Sequence, residues 1–284
     1  MMNGLFASAL FTIHQGQDGG RGLSPRLWKS VAQQSMSPDG LSQGYMAGDD
    51  FRTVALTTAV SANVGRYAGE AGGYLSYEDT GGAIAQLATE SGGVLNITTD
   101  GTDNDEMWLQ PGMATSVLGM ISDTAGSDKK LIFEARFRVS KVTNTLNYFI
   151  GLSEEGLAAA DTVTDAGALA SKDLIGFWVT EADGDSLKFG YRKAGQALTT
   201  VGTFGTALAA STWYKVGFIY DPAETKKIRF YVDNVEQTDY VTATNIAAAT
   251  FPDGEELNFL AGVKNGTAAI SYIDLDWWNF FQAG

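Results

Sequence analysis

The stretch STWYKVGFIYDPAETKKIRFYVDNV, residues 211–235, decides the fold. Residues 213–220 form one β-type run led by Trp213, residues 228–232 form a second, and DPAETKK connects them. Asp233-Asn234 then makes a hairpin-type turn into a third run at 235–238. Short runs of β-branched and aromatic residues, separated by turn residues, predict antiparallel strands.

The same pattern extends outward along the chain. In 131–140, Leu131, Phe133, Ala135, Phe137 and Val139 face one way, and Glu134, Arg136 and Arg138 the other. In 186–193, Leu187, Phe189 and Tyr191 alternate with Lys188 and Arg192. The turn Lys264-Asn265-Gly266 joins the run 257–263 to a closing run, 269–278. There Ile273, Leu275 and Trp277 share one face, and Tyr272, Asp274 and Asp276 share the other. Shorter runs occupy 84–88, 94–98, 107–110, 148–152 and 174–180. The total is about ten or eleven strands with no long helix, and 153–172 is the best helical candidate. Strands with one apolar and one polar face must stack as two sheets with the apolar faces inward. The expected fold is therefore all-β, an antiparallel β-sandwich of jelly-roll type.

Composition agrees. The 284 residues are 44% hydrophobic and 18% charged, with 34 Gly and 5 Pro. The absence of cysteine excludes disulfides, thiolate metal sites and a cysteine nucleophile. A single histidine, His14, excludes histidine-cluster metal sites and a histidine-based triad in the folded body. The net charge of -14 repels nucleic acid and anionic membrane. No stretch approaches the roughly 20 apolar residues of a membrane-spanning helix.

Three segments are expected: an extended N-terminal arm at 1–50, a transitional Gly-rich segment at 51–80, and the sandwich at 81–284. Residues 1–48 carry Arg21, Arg26 and Lys29 against Asp18 and Asp39, a net +1, so the remainder carries -15. The apolar run at 5–13 has no Lys or Arg ahead of it and does not read as a secretory signal. It reads as an arm end that packs on this body or on another chain. RLWKSVAQQ, 26–34, suits two helical turns with Trp28 and Val31 on one side. Leaving Leu5, Phe6, Trp28 and Phe51 in water costs roughly 1.5–3 kcal/mol each, which favours docking.

Three features bear on chemistry. The loop DGTDNDE, 100–106, clusters Asp100, Asp103, Asp105 and Glu106 with Asn104. Hard cations want such oxygens, but the spacing is not that of an EF-hand. A solvated acidic turn and a Ca2+ site on Asp100, Asp103 and Asp105 both remain open, with Asp183 and Asp185 a weaker parallel. Asp274 and Asp276 read as a solvated or subunit-facing strand surface. Adjacent Trp277 and Trp278 must point to opposite sheet faces. One enters the core, and the other needs the leader, another subunit or a sugar ring.

Residues 211–235 resemble the concanavalin A-like, laminin-G-like jelly-roll families. Trp213, Tyr214, Val216, Phe218, Tyr220 and Asp221 fit the first half of their signature. Phe230, Tyr231, Val232 and Asp233 fit the second, with Asn234 where Gly is usual. Residues 129–139, 185–196 and 271–278 add to a likeness that covers 85–280. Glucanases of this fold carry two glutamates flanking an aspartate on one strand, and YIDLDWW lacks them. Within the superfamily the pattern is most similar to tailed-phage virion proteins. That likeness implies a non-enzymatic capsid decoration, or cement, protein on the virion surface, made in the host cytoplasm. Its partners would be the major capsid protein, through Phe6, Phe11, Leu27, Trp28 and Val31, and copies of itself in a homotrimer, through Tyr272, Trp278 and Phe280. No cofactor is implied beyond the open Ca2+ reading. The alternatives are a lectin-like, glycan-binding module on a phage head or tail fibre, and an atypical glycan hydrolase.

Overall fold

The computed structural model describes residues 21–29, 44–52, 55–61, 64–68, 73–79, 81–90, 92–112, 117–140, 145–204 and 208–284. Two antiparallel sheets face each other. The first has eight strands, in the order β16 (Val235–Val241), β15 (Ile228–Val232), β14 (Tyr214–Tyr220), β9 (Leu131–Val139), β18 (Tyr272–Ala283), β6 (Leu95–Thr98) and β5 (Ala83–Gln86). Its eighth strand, β1 (Gly44–Asp49), pairs with the later half of β18.

The second sheet has ten strands. Their order is β13 (Thr199–Thr203), β12 (Gly184–Arg192), β11 (Leu174–Thr180), β10 (Leu146–Ser153), β17 (Glu256–Asn265), β7 (Glu106–Pro111), β4 (Tyr74–Glu78), β3 (Val64–Ala68) and β2 (Ala55–Ser61). The short β8 (Gly119–Met120) pairs with β17.

The all-β antiparallel sandwich is as expected, but it holds more strands. The additional ones come mainly from residues 44–78, so the sheets begin ahead of residue 81, and part of the 1–50 segment is itself a strand. The helix considered for 153–172 does not form. That segment is a loop closed by an isolated bridge between Val163 and Leu169. In 26–34 the helix is a single turn, Pro25–Trp28, started by a proline whose missing N–H costs nothing at a first helical position.

Alternation in β9 places Leu131, Phe133, Ala135, Phe137 and Val139 in the core between the sheets. Asp233 and Asn234 both take positive φ, 48° and 64°, which gives the tight hairpin its twist. In β18 the expected alternation fails part-way. The register with β9 shifts between Leu275 and Trp277, so Asp276 is an extra residue. A β-bulge of this kind moves every later side chain to the opposite face. Ile273 and Leu275 point into the core before it, and Trp278 and Phe280 after it. Trp277 therefore lies on the outer face. Trp278 is fully buried, stacks on Phe259 at 4.7 Å, and donates its indole N–H to the Tyr74 hydroxyl at 2.9 Å. Tyr74 in turn donates to Asp49 at 2.8 Å.

Trp278→Ala should cost about 3–5 kcal/mol, as for large aromatic truncations in a close-packed core. Urea unfolding measures this, and a loss under 1 kcal/mol would contradict the assignment of Trp278 to the core.

Candidate functional site

The outer face of the eight-stranded sheet carries the most organised surface feature. Its floor is Ile132, Glu134 and Arg136 of β9, Lys215, Gly217 and Ile219 of β14, Tyr231 of β15, and Trp277 and Phe281 of β18. Residues 21–29 of the leader lie across this floor. Leu27 and Trp28 form a small apolar cluster with Ile132, Ile219, Tyr231 and Phe281. Gly217 makes room for it, because a Cβ there would sit 2.7 Å from Leu27 Cδ2.

Polar groups fix the direction of the segment. Glu134 Oε2 accepts from the Trp28 indole N–H at 2.7 Å and from the Ser24 backbone N–H at 3.0 Å. Burial raises the Glu134 carboxyl above its usual range, and the Ser24 and Trp28 donors together with Lys215 partly offset this. At the other end, Arg21 of the leader and Arg136 of β9 both ion-pair with Asp276. Burial likewise raises Asp276, against the pull of the two guanidinium groups. The Trp277 indole N–H donates to the Arg21 carbonyl at 2.6 Å, and Lys215 Nζ donates to the Gly22 carbonyl at 3.1 Å. Asn234 of the hairpin turn accepts from the Arg26 N–H at 3.1 Å. Of the three partners open to the outward tryptophan, the leader is the one that covers it.

Alongside, Asp274 accepts from Arg138 at 2.7 Å and from Asn96 at 2.6 Å, and Arg136 and Arg138 stack on Trp213 at 4.4 and 4.5 Å. Asp274 and Asp276 are therefore buried ion-pair partners rather than a solvated strand face.

Over β7, β10, β11 and β17 the outer face of the ten-stranded sheet is also covered. Gly151, Gly176 and Gly190 are register neighbours and form a lane without side chains. Rings lie down on such glycines. A Cβ on Gly176 would meet Phe149 at 2.9 Å, one on Gly190 would meet Trp178 at 2.9 Å, and one on Gly262 would meet Trp108 at 2.3 Å. The loop 154–173 then packs Leu157, Ala158, Val163 and Leu169 over these rings. Gln110 holds it through Glu154 and Leu157, and Glu106 accepts from the Asp161 N–H at 2.6 Å. Lys264, buried on β17, reaches Asp165 at 2.7 Å, Asp161 at 3.2 Å and Glu106 at 3.9 Å.

Two further features lie among the described residues. One is the loop 99–105, where the carboxyls of Asp100 and Asp105 meet in hydrogen-bond contact and Asp103 is exposed. Among the described residues no three His, Asp or Glu side chains are grouped to hold a metal. The other is a cleft of about 470 Å³ at the sandwich edge, between β13 and the β15–β16 hairpin. Leu187, Phe204, Tyr214 and Phe230 line it, with Asp233, Gln237 and Asp239 at its polar side.

Several predicted roles are corrected by these positions. Leu27 and Trp28 are taken up by the chain's own sheet rather than presented to a shell. Trp278 and Phe280 are in the core and are not subunit contacts, because the bulge at Asp276 reverses their facing. Tyr272 is half-buried, 3.4 Å from the Ser211 hydroxyl. Phe6, Phe11, His14 and Val31 lie outside the described residues, as do the side chains of Asp183 and Asp185. Glu134, Lys264 and Asn265 were missed by sequence reasoning. A glutamate or lysine on a strand's polar face carries no sign that a distant segment will cover it.

No protein-family model matches the sequence, and no curated protein matches it. Solved structures do. A Shewanella oneidensis protein of unknown function aligns with a TM-score of 0.53 at 18% identity, over 94% of this chain and 97% of its own. Peanut lectin aligns at 0.52 and 13% identity, over 84% and 97%. The Emp47p carbohydrate recognition domain aligns at 0.51 and 13%, over 86% and 99%. The fold is an antiparallel jelly-roll sandwich similar to that of these lectin structures. At these identities the likeness concerns architecture alone.

Two outcomes follow from the site. Trp28→Ala removes an indole donor from buried Glu134 and should raise the rate of trypsin cleavage after Arg26 by about tenfold, since loosened local structure is cut more often. An unchanged cleavage rate would show that Trp28 does not hold the leader. Second, burial and the Asp100 and Asp79 carboxylates push the Asp105 carboxyl up to about 7 from its ordinary 3.8. Between about pH 4 and 7 the folded chain keeps a proton there that the unfolded chain has lost, so this group's contribution to stability falls as pH rises through that window and is level above it. In metal-free buffer, Asp105→Asn should raise the Tm at pH 8 more than at pH 5. An equal change at both would refute the assignment.

Proposed function

We propose that this chain is a non-enzymatic structural protein of a virus particle, a lectin-fold block fastened to the assembled shell through its N-terminal segment. The observation that carries this reading is the seating of residues 21–29. Two buried carboxylates, Glu134 and Asp276, hold the leader against β9 and β18, the central strands of the first sheet. A tether attached there transmits load to the middle of the sandwich rather than to a frayed edge. The covers over the central strands of both sheets fit a block whose interactions are made by its appendage.

Since Leu27 and Trp28 are spent on anchorage, contact with the major capsid protein falls to Phe6 and Phe11 in the first 20 residues and to Val31. A protein that binds the assembled shell and not its dissociated subunits stabilises the shell by its binding free energy. A homotrimer would present several such arms and raise the effective concentration of each. The body would sit on the virion surface after synthesis in the host cytoplasm. Its acidity suits solubility at high local density.

A second reading, a glycan-binding module, is favoured by the edge cleft. Half-buried Tyr214 beside Asp233, Gln237 and Asp239 is chemistry that a sugar ring could use. The likeness to peanut lectin and to a carbohydrate recognition domain supports it only at the level of fold.

One experiment separates the two. Protein lacking residues 1–20 should keep the full-length Tm within about 2 °C, because no described contact is removed. It should also fail to co-sediment with particles stripped of the full-length protein. Co-sedimentation equal to that of the full-length protein would overturn the structural reading. Glycan binding that survives this deletion and is lost on Asp239→Ala would establish the second.

A further inference from the structure

We propose that Lys264 of β17 and Asp161 of the covering loop 154–173 condense to an intramolecular amide, with Glu106 of β7 relaying the protons, so that the cover is covalently stapled to the sheet. The two ends of the bond lie 103 residues apart in the chain. Lys264 and Glu106 are directly opposed on neighbouring strands, so their side chains leave the sheet side by side on one face. Both are almost wholly enclosed: the Lys264 side chain is 1% exposed and that of Glu106 4%.

An ammonium shut away from water is costly, and chains keep one only where it is paired or put to use. The Lys264 Nζ lies 2.7 Å from Asp165 Oδ1, 3.2 Å from Asp161 Oδ1 and 3.9 Å from Glu106 Oε1. Three carboxylates around one amine exceed what charge balance requires, and their positions differ. Asp165 makes the shortest contact and holds Nζ in place. Asp161 is the one tied to Glu106, since its backbone N–H donates to Glu106 Oε1 at 2.6 Å. Asp161 also stands in the left-handed region, φ 61°, which a non-glycine residue keeps when its surroundings impose it. The Thr162 hydroxyl, donating to the Leu157 carbonyl at 2.9 Å, and buried Val163 fix the loop beside it. The Trp108 indole N–H donates to Glu106 Oε2 at 2.7 Å and keeps that carboxyl from swinging away. Nucleophile, acyl group and relay are thus each held by a separate contact.

The resting state is an ion pair. Burial pushes Lys264 down, and Asp165, Glu106 and Asp161 more than restore it. Burial raises the Glu106 carboxyl above its ordinary range, which suits it to take up and return a proton. Glu106 accepts a proton from Nζ and passes it to the Asp161 carboxylate, leaving an uncharged amine beside an uncharged acid. The nitrogen lone pair then adds to Asp161 Cγ and forms the C–N bond. A second proton leaves nitrogen, again by way of Glu106, and the C–O bond breaks to release water. Both protons lost by nitrogen depart on one Asp161 oxygen, Glu106 ends as it began, and nothing is oxidised or reduced.

Two circumstances favour the product. The expelled water has a way out, because the Asp161 and Asp165 side chains are 67% and 70% exposed. Groups held in contact also react with effective molarities of up to about 10⁵–10⁸ M, which offsets the bias of bulk water toward free acid and amine.

The test is the intact mass of the full-length wild-type chain, followed for about a week at neutral pH and 37 °C. More than half of the chains should become lighter than the sequence requires by one water, about 18 Da, the leaving group of the acyl transfer. Trypsin should then fail to cut after Lys264 and should release residues 142–172 joined to residues 230–284. Fragmentation of that branched peptide should place the link on Asp161. Lys264→Arg, which keeps the cation but supplies no acylable amine, and Asp161→Ala should both show the full sequence mass. Glu106→Gln should show it too while keeping a cooperative thermal transition, which separates a relay from a structural role. A linked fraction below half in the wild-type chain would overturn the proposal without recourse to any variant. Loss of water without a branched peptide would be dehydration of an aspartate within its own backbone and would overturn it equally. A link through Asp165, or one that forms undiminished in folded Glu106→Gln, would refute the roles assigned to Asp161 and Glu106.

Discussion

The pairing of β9 with β18 is the constraint on which the rest depends. These two long strands run antiparallel through the middle of the first sheet, and the bulge at Asp276 divides their register into two halves of opposite parity. Before it, the inward positions are Ile273 and Leu275. After it, they are Trp278 and Phe280. One inserted residue thus fills both ends of the core with large side chains, and the insertion itself lands on the outer face as an enclosed carboxylate. An enclosed carboxylate requires cations. Arg136 and Arg21 meet that need, and Arg21 brings the leader with it.

The two outer faces are finished by the same physical device. Over its central strands each sheet presents apolar or charged side chains that would be costly in water, and a segment remote in sequence covers them. On the first sheet the cover is the leader, held by buried carboxylates on Trp28, Ser24 and Arg21. On the second it is the loop 154–173, held by a buried ammonium on Lys264. Neither cover is regular secondary structure over most of its length. Both depend on point attachments, which accounts for the concentration of perturbed ionisable groups on these surfaces rather than in a cleft.

Much of the sandwich was legible from period-two alternation. β9 and β12 appear where their apolar faces predict, β11 and β14 where β-type runs lie, and Asp233-Asn234 turns as its residue types require. Three things were not legible. FRTVALTTAV, 51–60, reads as a strand where β2 forms, but β1, β3 and β4 carry small and polar residues whose pattern is too weak to stand out from a Gly-rich linker. The bulge at Asp276 is silent in sequence because Trp277 and Trp278 are equally fit for the core, so the alternation can be read in either frame. The covers are set by long-range contacts that no local period encodes. That is why Glu134, Lys264 and Asn265 read as ordinary strand or turn positions, and why Trp278 and Phe280 read as contact residues.

The place of β18 in the sheet also governs the order in which the molecule can be built. It follows the other described strands in sequence, yet it pairs with β9, β6 and β1 and supplies Asp276, Trp277 and Phe281 to the leader's seat. During translation residues 21–29 emerge long before β18 and have no complete seat until that strand is made. The half-made first sheet meanwhile has an unpaired gap at its centre. Such a chain folds late and all at once, with long loops to close, and its nascent form is the state most exposed to chaperones and to mispairing with neighbouring copies on the same message.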